Sequence, residues 1–294
     1  DAREDVLRRD FTINGLLEDP LSGEIIDFVG GRADLDARLV RAIGDANARF
    51  SEDYLRLLRC VRFAARLGFQ IEASTWAACR ALAPSITRIS AERIGEELDR
   101  IVSQGPAGRG LALLAESGLL GVLLPELSPE DVARAIDRLS HLGVATPLLG
   151  WGLALFDRPT LIAALVPRFR WARAFARDLA EATDGAQALA RWSELRLADR
   201  KRVMRRPTFD ASLVIARAAG HRATEAEARA ARDASTPLEL RPPPLLSGHD
   251  LEALGHRPGK AFKVALDALE TAQLEGTATT REEALAVVLP LLKA

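Results

Sequence analysis

The chain has 294 residues, 48% of them hydrophobic and 28% charged, with a formal net charge of −1. That length exceeds one ordinary domain and supplies enough apolar surface for a sizeable core or several small ones. The near-neutral balance excludes indiscriminate nucleic-acid binding, although a local basic face stays compatible with RNA. Cys60 and Cys79 form no CxxC pair and fit buried thiols in a reducing cytoplasm. No apolar run reaches the roughly 18 residues that would span a membrane. One tyrosine, much Ala and Leu, and few long β-branched runs predict a mostly α protein. The sequence begins at Asp1 rather than Met and has no visible leader, which fits a trimmed or incomplete chain.

In chain order, "RRDFTINGLLEDPLSGEIIDFVGG" comes first. Leu16 to Asp19 and Glu24 to Phe28 read as two short strands, with Pro20 to Gly23 as the turn between them. Arg8, Arg9 and Asp10 precede the hairpin, with Asn14 four residues after Asp10; on chemistry alone such a run is most simply a surface ion pair. "GGRADLDARL" then sets Asp34 and Asp36 close after a glycine pair, a pattern that suits a helix start.

"EDYLRLLRCVRFAARLG", Glu52 to Gly68, follows a connector over Leu39 to Asp45. At about 100° per residue Leu57, Leu58, Val61, Ala64 and Ala65 gather on one side of a helix, facing a core. Arg56, Arg59, Arg62 and Arg66 fall opposite, with Asp53 at the edge. The stripe suits a solvated face or an anion site. Asp53 and Arg56, about one turn apart, add chemistry: a carboxylate that accepts beside a guanidinium that donates. Adenine and cytosine present an amino donor next to a ring-nitrogen acceptor, whereas uracil and guanine present the reverse and would leave groups unpaired at about 1–3 kcal/mol each. Such a pair selects ATP and CTP, and Arg59 and Arg62 further along could hold the triphosphate.

Beyond this helix, further helices are predicted near Thr75 to Ala83, from an N-cap at Ser90 to about Ser103, through "GLALLAESGLLGVLLPEL", and at Pro129 to His141, Ala145 to Phe156 and Thr160 to Ala164. Trp151 and Phe156 are candidate core anchors. Arg168 to Arg206 carries eleven cations against five carboxylates, a local excess of six positive charges. Within it Arg200, Lys201, Arg202, Arg205 and Arg206 form a candidate face for RNA phosphates, against the plainer reading of a solvated face. "STPLELRPPPLLSG" reads as a linker. Two helices of a C-terminal section follow, one capped by Asp250 and one started by Pro258 and Gly259. His249-Asp250 has no supporting histidine cluster, so no metal site is assigned.

The run "RFSEDYLRLLRCVRFAARLGF", Arg49 to Phe69, resembles the base-reading EDxxR motif of the class II tRNA nucleotidyltransferases, which include CCA-adding enzymes and bacterial poly(A) polymerases. "RRDFTIN" resembles the RRDFTxN motif of the same family, in the family's order and spacing, and "ISAERIGEEL" and the PGxxF and QLxG matches of the tail extend the resemblance. It implies that Arg9, Asp53, Arg56, Arg59 and Arg62 bind the nucleotide, with Arg8, Asp10 and Asn14 in support and Arg93 and Glu96 structural. It also implies the end of a mixed α/β nucleotidyltransferase head with its C-terminal β-hairpin at 1–38, and a helical neck with the base-reading helix at 39–127. A helical body that is a candidate for tRNA binding follows at 128–234, then linker and tail at 235–294. The implied reaction is template-independent addition of CMP and AMP from CTP and ATP to the 3′ end of tRNA in the cytoplasm, with Mg²⁺ and release of pyrophosphate. The family's metal-binding DxD pair lies upstream of RRDFTxN, so no catalytic or metal residue is assigned within these 294. Alternatives are a poly(A) polymerase, an enzyme adding only A or only CC, and a non-catalytic RNA-binding remnant.

Overall fold

The computed structural model describes residues 1–143 and 145–292 and is mostly helical. It divides into two compact units, one of residues 1–183 with 218–220 and the other of 184–217 with 221–294. The break expected near residue 128 falls inside the first unit, because the helix Pro129–Ser140 packs closely on the helix Ala107–Glu116.

The first unit opens with α1 (Ala2–Leu7) and the hairpin of β1 (Leu16–Glu18) and β2 (Ile25–Asp27), paired antiparallel with Leu17 opposite Ile26. Short α2 (Gly31–Asp36) follows. Its N-terminal N–H groups are met by Asp27, which accepts from Gly31 and Arg32 at 3.0 Å each. Burial pushes the Asp27 carboxyl up, but these backbone donors hold it below the ordinary value. Asp34, in the first turn as the sequence predicts, is buried and accepts from Thr12 Oγ1 at 2.7 Å and from Arg41.

β3 (Leu39–Val40) pairs in parallel with β4 (Gln70–Ile71), a two-residue contact that the sequence reading placed in a connector and a bridge. Between them lie α3 (Ala46–Glu52) and α4 (Leu55–Leu67). Leu57, Leu58, Val61, Ala64 and Ala65 are buried as their spacing predicts. Each fully buried leucine contributes about 1.5–3 kcal/mol relative to exposure. Gly68 ends α4 at φ 67°, a left-handed cap that a side chain would strain.

α5 (Ala73–Leu82), α6 (Ala91–Ser103), α7 (Ala107–Glu116), α8 (Leu119–Leu123), α9 (Pro129–Ser140), α10 (Pro147–Ala154), α11 (Leu161–Phe169) and the start of α12 (Arg173–Ala190) complete this unit. α4 packs on α6 and α7. Ser90 stands at the N-cap of α6 but makes no side-chain bond there. Trp151 and Phe156 are buried as anchors, and Trp151 joins Phe169 and Trp171 in one aromatic cluster. Cys60 and Cys79 are buried free thiols, and burial pushes the Cys60 thiol up.

The second unit holds the rest of α12, then α13 (Leu197–Met204), most of α14 (Phe209–Ala218), α15 (Arg222–Ala234), α16 (Pro237–Leu240), α17 (Gly248–Ala253), α18 (Lys260–Glu275) and α19 (Arg281–Leu292). Leu246, Leu251, Phe262, Ala265, Leu269, Ala284 and Val288 make its C-terminal core. α17 is capped by Ser247 rather than by Asp250, which sits three residues on and returns the bond to the Ser247 N–H at 2.8 Å.

Candidate nucleotide-binding site

Phe11, fully buried, seats the N-terminal segment against α4: its ring meets Phe63 edge-on at 5.8 Å and Phe50 at 6.5 Å. Asp10 beside it is buried. Its carboxylate accepts from the Phe11 N–H (3.0 Å), Asn14 Nδ2 (2.8 Å) and Arg59 Nε (2.6 Å). Arg9 donates to the Asn14 carbonyl at 2.8 Å and to Asp5. The ion pair between Asp10 and Arg59 thus fastens the RRDF segment to α4.

These residues wall a cavity of about 550 Å³, lined by Arg8, Arg9, Asp10, Asn14, Asp53, Leu55, Arg56, Arg59, Phe63 and Arg93. Five arginines face two aspartates, a local excess of three positive charges. A polyanion fits that balance better than a neutral ligand does.

The Asp53 backbone is not helical, a correction to the continuous helix predicted from Glu52. It lies extended at φ −153° and ψ 102° between α3 and α4. That break lets the side chain cap α4: Oδ1 accepts from the Leu55 N–H at 3.1 Å, while Oδ2 accepts from Arg93 at 2.7 Å. Burial pushes its carboxyl up, but Arg93, the Leu55 N–H and the charge of Arg56 together hold it below the ordinary aspartate value. It is therefore an acceptor only. Arg56 is fixed by three bonds, to Glu52 Oε2 (2.6 Å), the Arg49 carbonyl (2.7 Å) and the Arg8 carbonyl (3.0 Å). Those use three of the five N–H groups of a guanidinium, leaving two to donate. Acceptor and donor so border one cavity, each pinned by the chain around it.

Of the predicted ligands, Arg9, Asp53, Arg56 and Arg59 line this cavity, as do the supporting Arg8, Asp10 and Asn14. Arg62 does not. It is buried, donates from Nε to Glu97 at 2.6 Å and lies over the Phe63 ring at 4.3 Å, so α6 has claimed the next turn of the arginine stripe. Arg93, read as structural, does line the cavity; the short spacing from Ser90 into α6 placed it near the pocket, but nothing local in its sequence named Asp53 as its partner.

The five residues of the predicted RNA face make bonds inside the second unit. Arg200 donates to the Trp192 and Ser193 carbonyls, Lys201 to the Leu274 carbonyl (2.8 Å), Arg202 and Arg205 to Glu270, and Arg206 to Asp184 (2.6 Å). These five are half-buried and serve packing within the second unit, mainly of α13 on α18. By contrast Arg257, Lys260 and Lys263 are exposed at the start of α18, whose first turn holds no acidic residue. Among the described residues no group of three or more His, Cys, Asp or Glu is arranged to hold a metal ion, so no step is assigned to one here. No described helix is long and apolar enough to cross a membrane.

Two family models match the chain: the poly A polymerase head domain over residues 1–41, and the probable RNA and SrmB-binding site of polymerase A over 68–131. The CCA-adding enzyme of Leuconostoc mesenteroides is 38% identical over 148 residues, 50% of this chain and 36% of that protein. That of Geobacillus thermodenitrificans is 44% identical over 125 residues, 42% of this chain and 30% of that one. The chain thus spans about a third of the length of these curated relatives. The crystal structure of the Bacillus stearothermophilus CCA-adding enzyme in complex with CTP superposes with a TM-score of 0.80 at 28% identity, covering 99% of this chain and 74% of that one. The resemblance to the class II tRNA nucleotidyltransferases and poly(A) polymerases, and with it the mostly α fold, is shown by these matches.

Proposed function

We propose that this chain, a relative of the class II tRNA nucleotidyltransferases and poly(A) polymerases, carries the nucleotide-selecting part of an enzyme that adds CMP and AMP from CTP and ATP to the 3′ end of tRNA. The observation that supports it most is the arrangement of Asp53 and Arg56 on one cation-rich cavity. Asp53 accepts from the exocyclic amino group of cytosine or adenine, and the free N–H groups of Arg56 donate to the adjacent ring nitrogen. Arg8, Arg9 and Arg59 meet the triphosphate, and residues outside these 294 hold the Mg²⁺ that supports transfer and pyrophosphate release. RNA is met in the second unit by Arg257, Lys260 and Lys263, which are exposed, rather than by Arg200 to Arg206, which are half-buried and bonded to neighbouring elements.

Equilibrium binding of CTP, ATP, UTP and GTP to the 294-residue chain tests the reading without need of the reaction. CTP and ATP bind more tightly than UTP and GTP. Asp53→Ala removes that preference, and Arg59→Ala weakens all four alike. Equal binding of the four nucleotides, or a preference that survives Asp53→Ala, would overturn it.

A further inference from the structure

Asp53 is held by two donors on two different oxygens, the Leu55 N–H on Oδ1 and Arg93 on Oδ2. A carboxylate offers about four lone-pair positions, so two remain for a ligand. The two donors differ in kind. The Leu55 N–H belongs to the start of α4 and persists with the helix. Arg93 reaches across from α6 as a half-exposed side chain on the rim of the same cavity, and its bond is the one charged contact of Asp53.

Charge decides what the base-reading group can read. An ionised carboxylate only accepts, and so matches an amino group; a protonated one gains an O–H and can donate to a carbonyl oxygen, which is what uracil presents where cytosine has its amino group. Selection against UTP therefore needs a carboxyl that is both fixed in direction and never protonated.

We propose that Arg93 is the positioning residue that enforces base selection, holding Asp53 in one orientation and in its acceptor-only form. This rests on the base-reading proposal above. Among the cavity's other cations, Arg8, Arg9, Arg56 and Arg59, none bonds to the Asp53 carboxylate. Arg56 acts on Asp53 through its charge alone, its three bonds going to Glu52 and two carbonyls, while Arg59 bonds to Asp10 and Arg9 to Asp5 and the Asn14 carbonyl. Glu52 and Asp10 are negative, are themselves paired with arginines and offer Asp53 no counter-charge. Burial favours protonation of Asp53, and Arg93 is the largest influence opposing it.

The test is equilibrium binding of CTP, UTP, ATP and GTP to the full chain and to its Arg93→Gln and Arg93→Lys variants between pH 5.5 and 8. The unsubstituted chain keeps a CTP-over-UTP preference of roughly tenfold or more at every pH, the scale of one unpaired buried group. Arg93→Gln lowers the preference, and the loss is largest at pH 5.5, the end of the range where Asp53 without Arg93 is most readily protonated. Arg93→Lys, which restores charge without the planar fork, removes the pH dependence and recovers only part of the preference. Arg93 is half-exposed on the rim, and circular dichroism of each variant checks that the fold is kept. If Arg93→Gln discriminates as the unsubstituted chain does at all pH values, or weakens all four nucleotides equally with no pH dependence, Arg93 has no role in selection and the inference falls alone. If the unsubstituted chain itself shows no preference, the base-reading proposal falls and takes this inference with it.

Discussion

Arg56, Arg59 and Arg62 follow one another at three-residue intervals on α4, yet they do three different things. Arg56 fastens to Glu52 and to the Arg8 carbonyl, Arg59 to Asp10, and Arg62 to Glu97. A helical wheel places them on one face and stops there. What separates them is the covering on that face, the N-terminal segment over the first two and α6 over the third, and that covering comes from residues 49 and 35 positions away for Asp10 and Glu97 respectively. Local periodicity carries no information about such partners. The split predicts opposite outcomes of truncation. Arg62→Ala leaves the Glu97 carboxylate in a buried setting with only Arg100 beside it, and costs about 3 kcal/mol of stability, near the low end for breaking a buried pair. The denaturant midpoint drops while the ratio of CTP to UTP binding is unchanged. A loss of that ratio with an unchanged midpoint would place Arg62 at the nucleotide instead.

At the level of elements, the predicted helices and the hairpin were legible because their signals are local: alternation over Leu16 to Phe28, a turn at Pro20 to Gly23, an apolar stripe on α4, Pro129 and Gly68 as punctuation. The parallel contact of β3 with β4 was not, since two residues from each partner carry no period. The break at Asp53 was missed for a related reason. "SEDYLR" has good helix formers on both sides, and the extended backbone there is stabilised by Arg93, a tertiary partner. A capping carboxylate of the same kind starts α5, where Glu72 accepts from the Ser74 and Thr75 N–H groups at 3.1 and 2.8 Å and from both hydroxyls. Burial pushes its carboxyl up, but these donors outweigh it and bring it down to about 2 from 4.5. A folded value below the unfolded one means that the stabilisation is complete above about pH 4.5 and is lost as the pH falls toward 2. Glu72→Ala therefore costs about 1–2 kcal/mol at pH 7, as loss of an N-cap does, and the difference from the unsubstituted chain closes on acidification. Urea titrations at pH 7 and pH 2.5 measure it; an equal cost at both would mean that the charge is not what holds the cap.

Over the whole chain, 40 basic residues stand against 41 acidic ones, so net charge does not locate the proposed RNA face and local excess is a poor guide too. The segment from Arg168 to Arg206 has the larger excess, but counting charges along a sequence cannot see Glu270, about 65 residues further on, which takes bonds from both Arg202 and Arg205. Cations spent inside a fold have already released their counterions and contribute little to the salt dependence of RNA binding, whereas unpaired exposed ones contribute fully. The two sets can be told apart on one protein. Replacing Arg257, Lys260 and Lys263 together by alanine lowers the slope of log K against log salt for tRNA by about 2, at roughly 0.7–0.9 per phosphate contact, with the melting temperature unchanged. Glu270→Ala does the reverse: it frees Arg202 and Arg205, costs about 1 kcal/mol of stability in the second unit, and leaves the slope unchanged or steeper. Filter binding across a salt series and thermal unfolding of the same preparations read both effects. If the triple variant keeps its slope while substitution of Arg202 and Arg205 flattens it, the RNA contact lies on α13 and the internal bonds of those arginines give way when RNA binds.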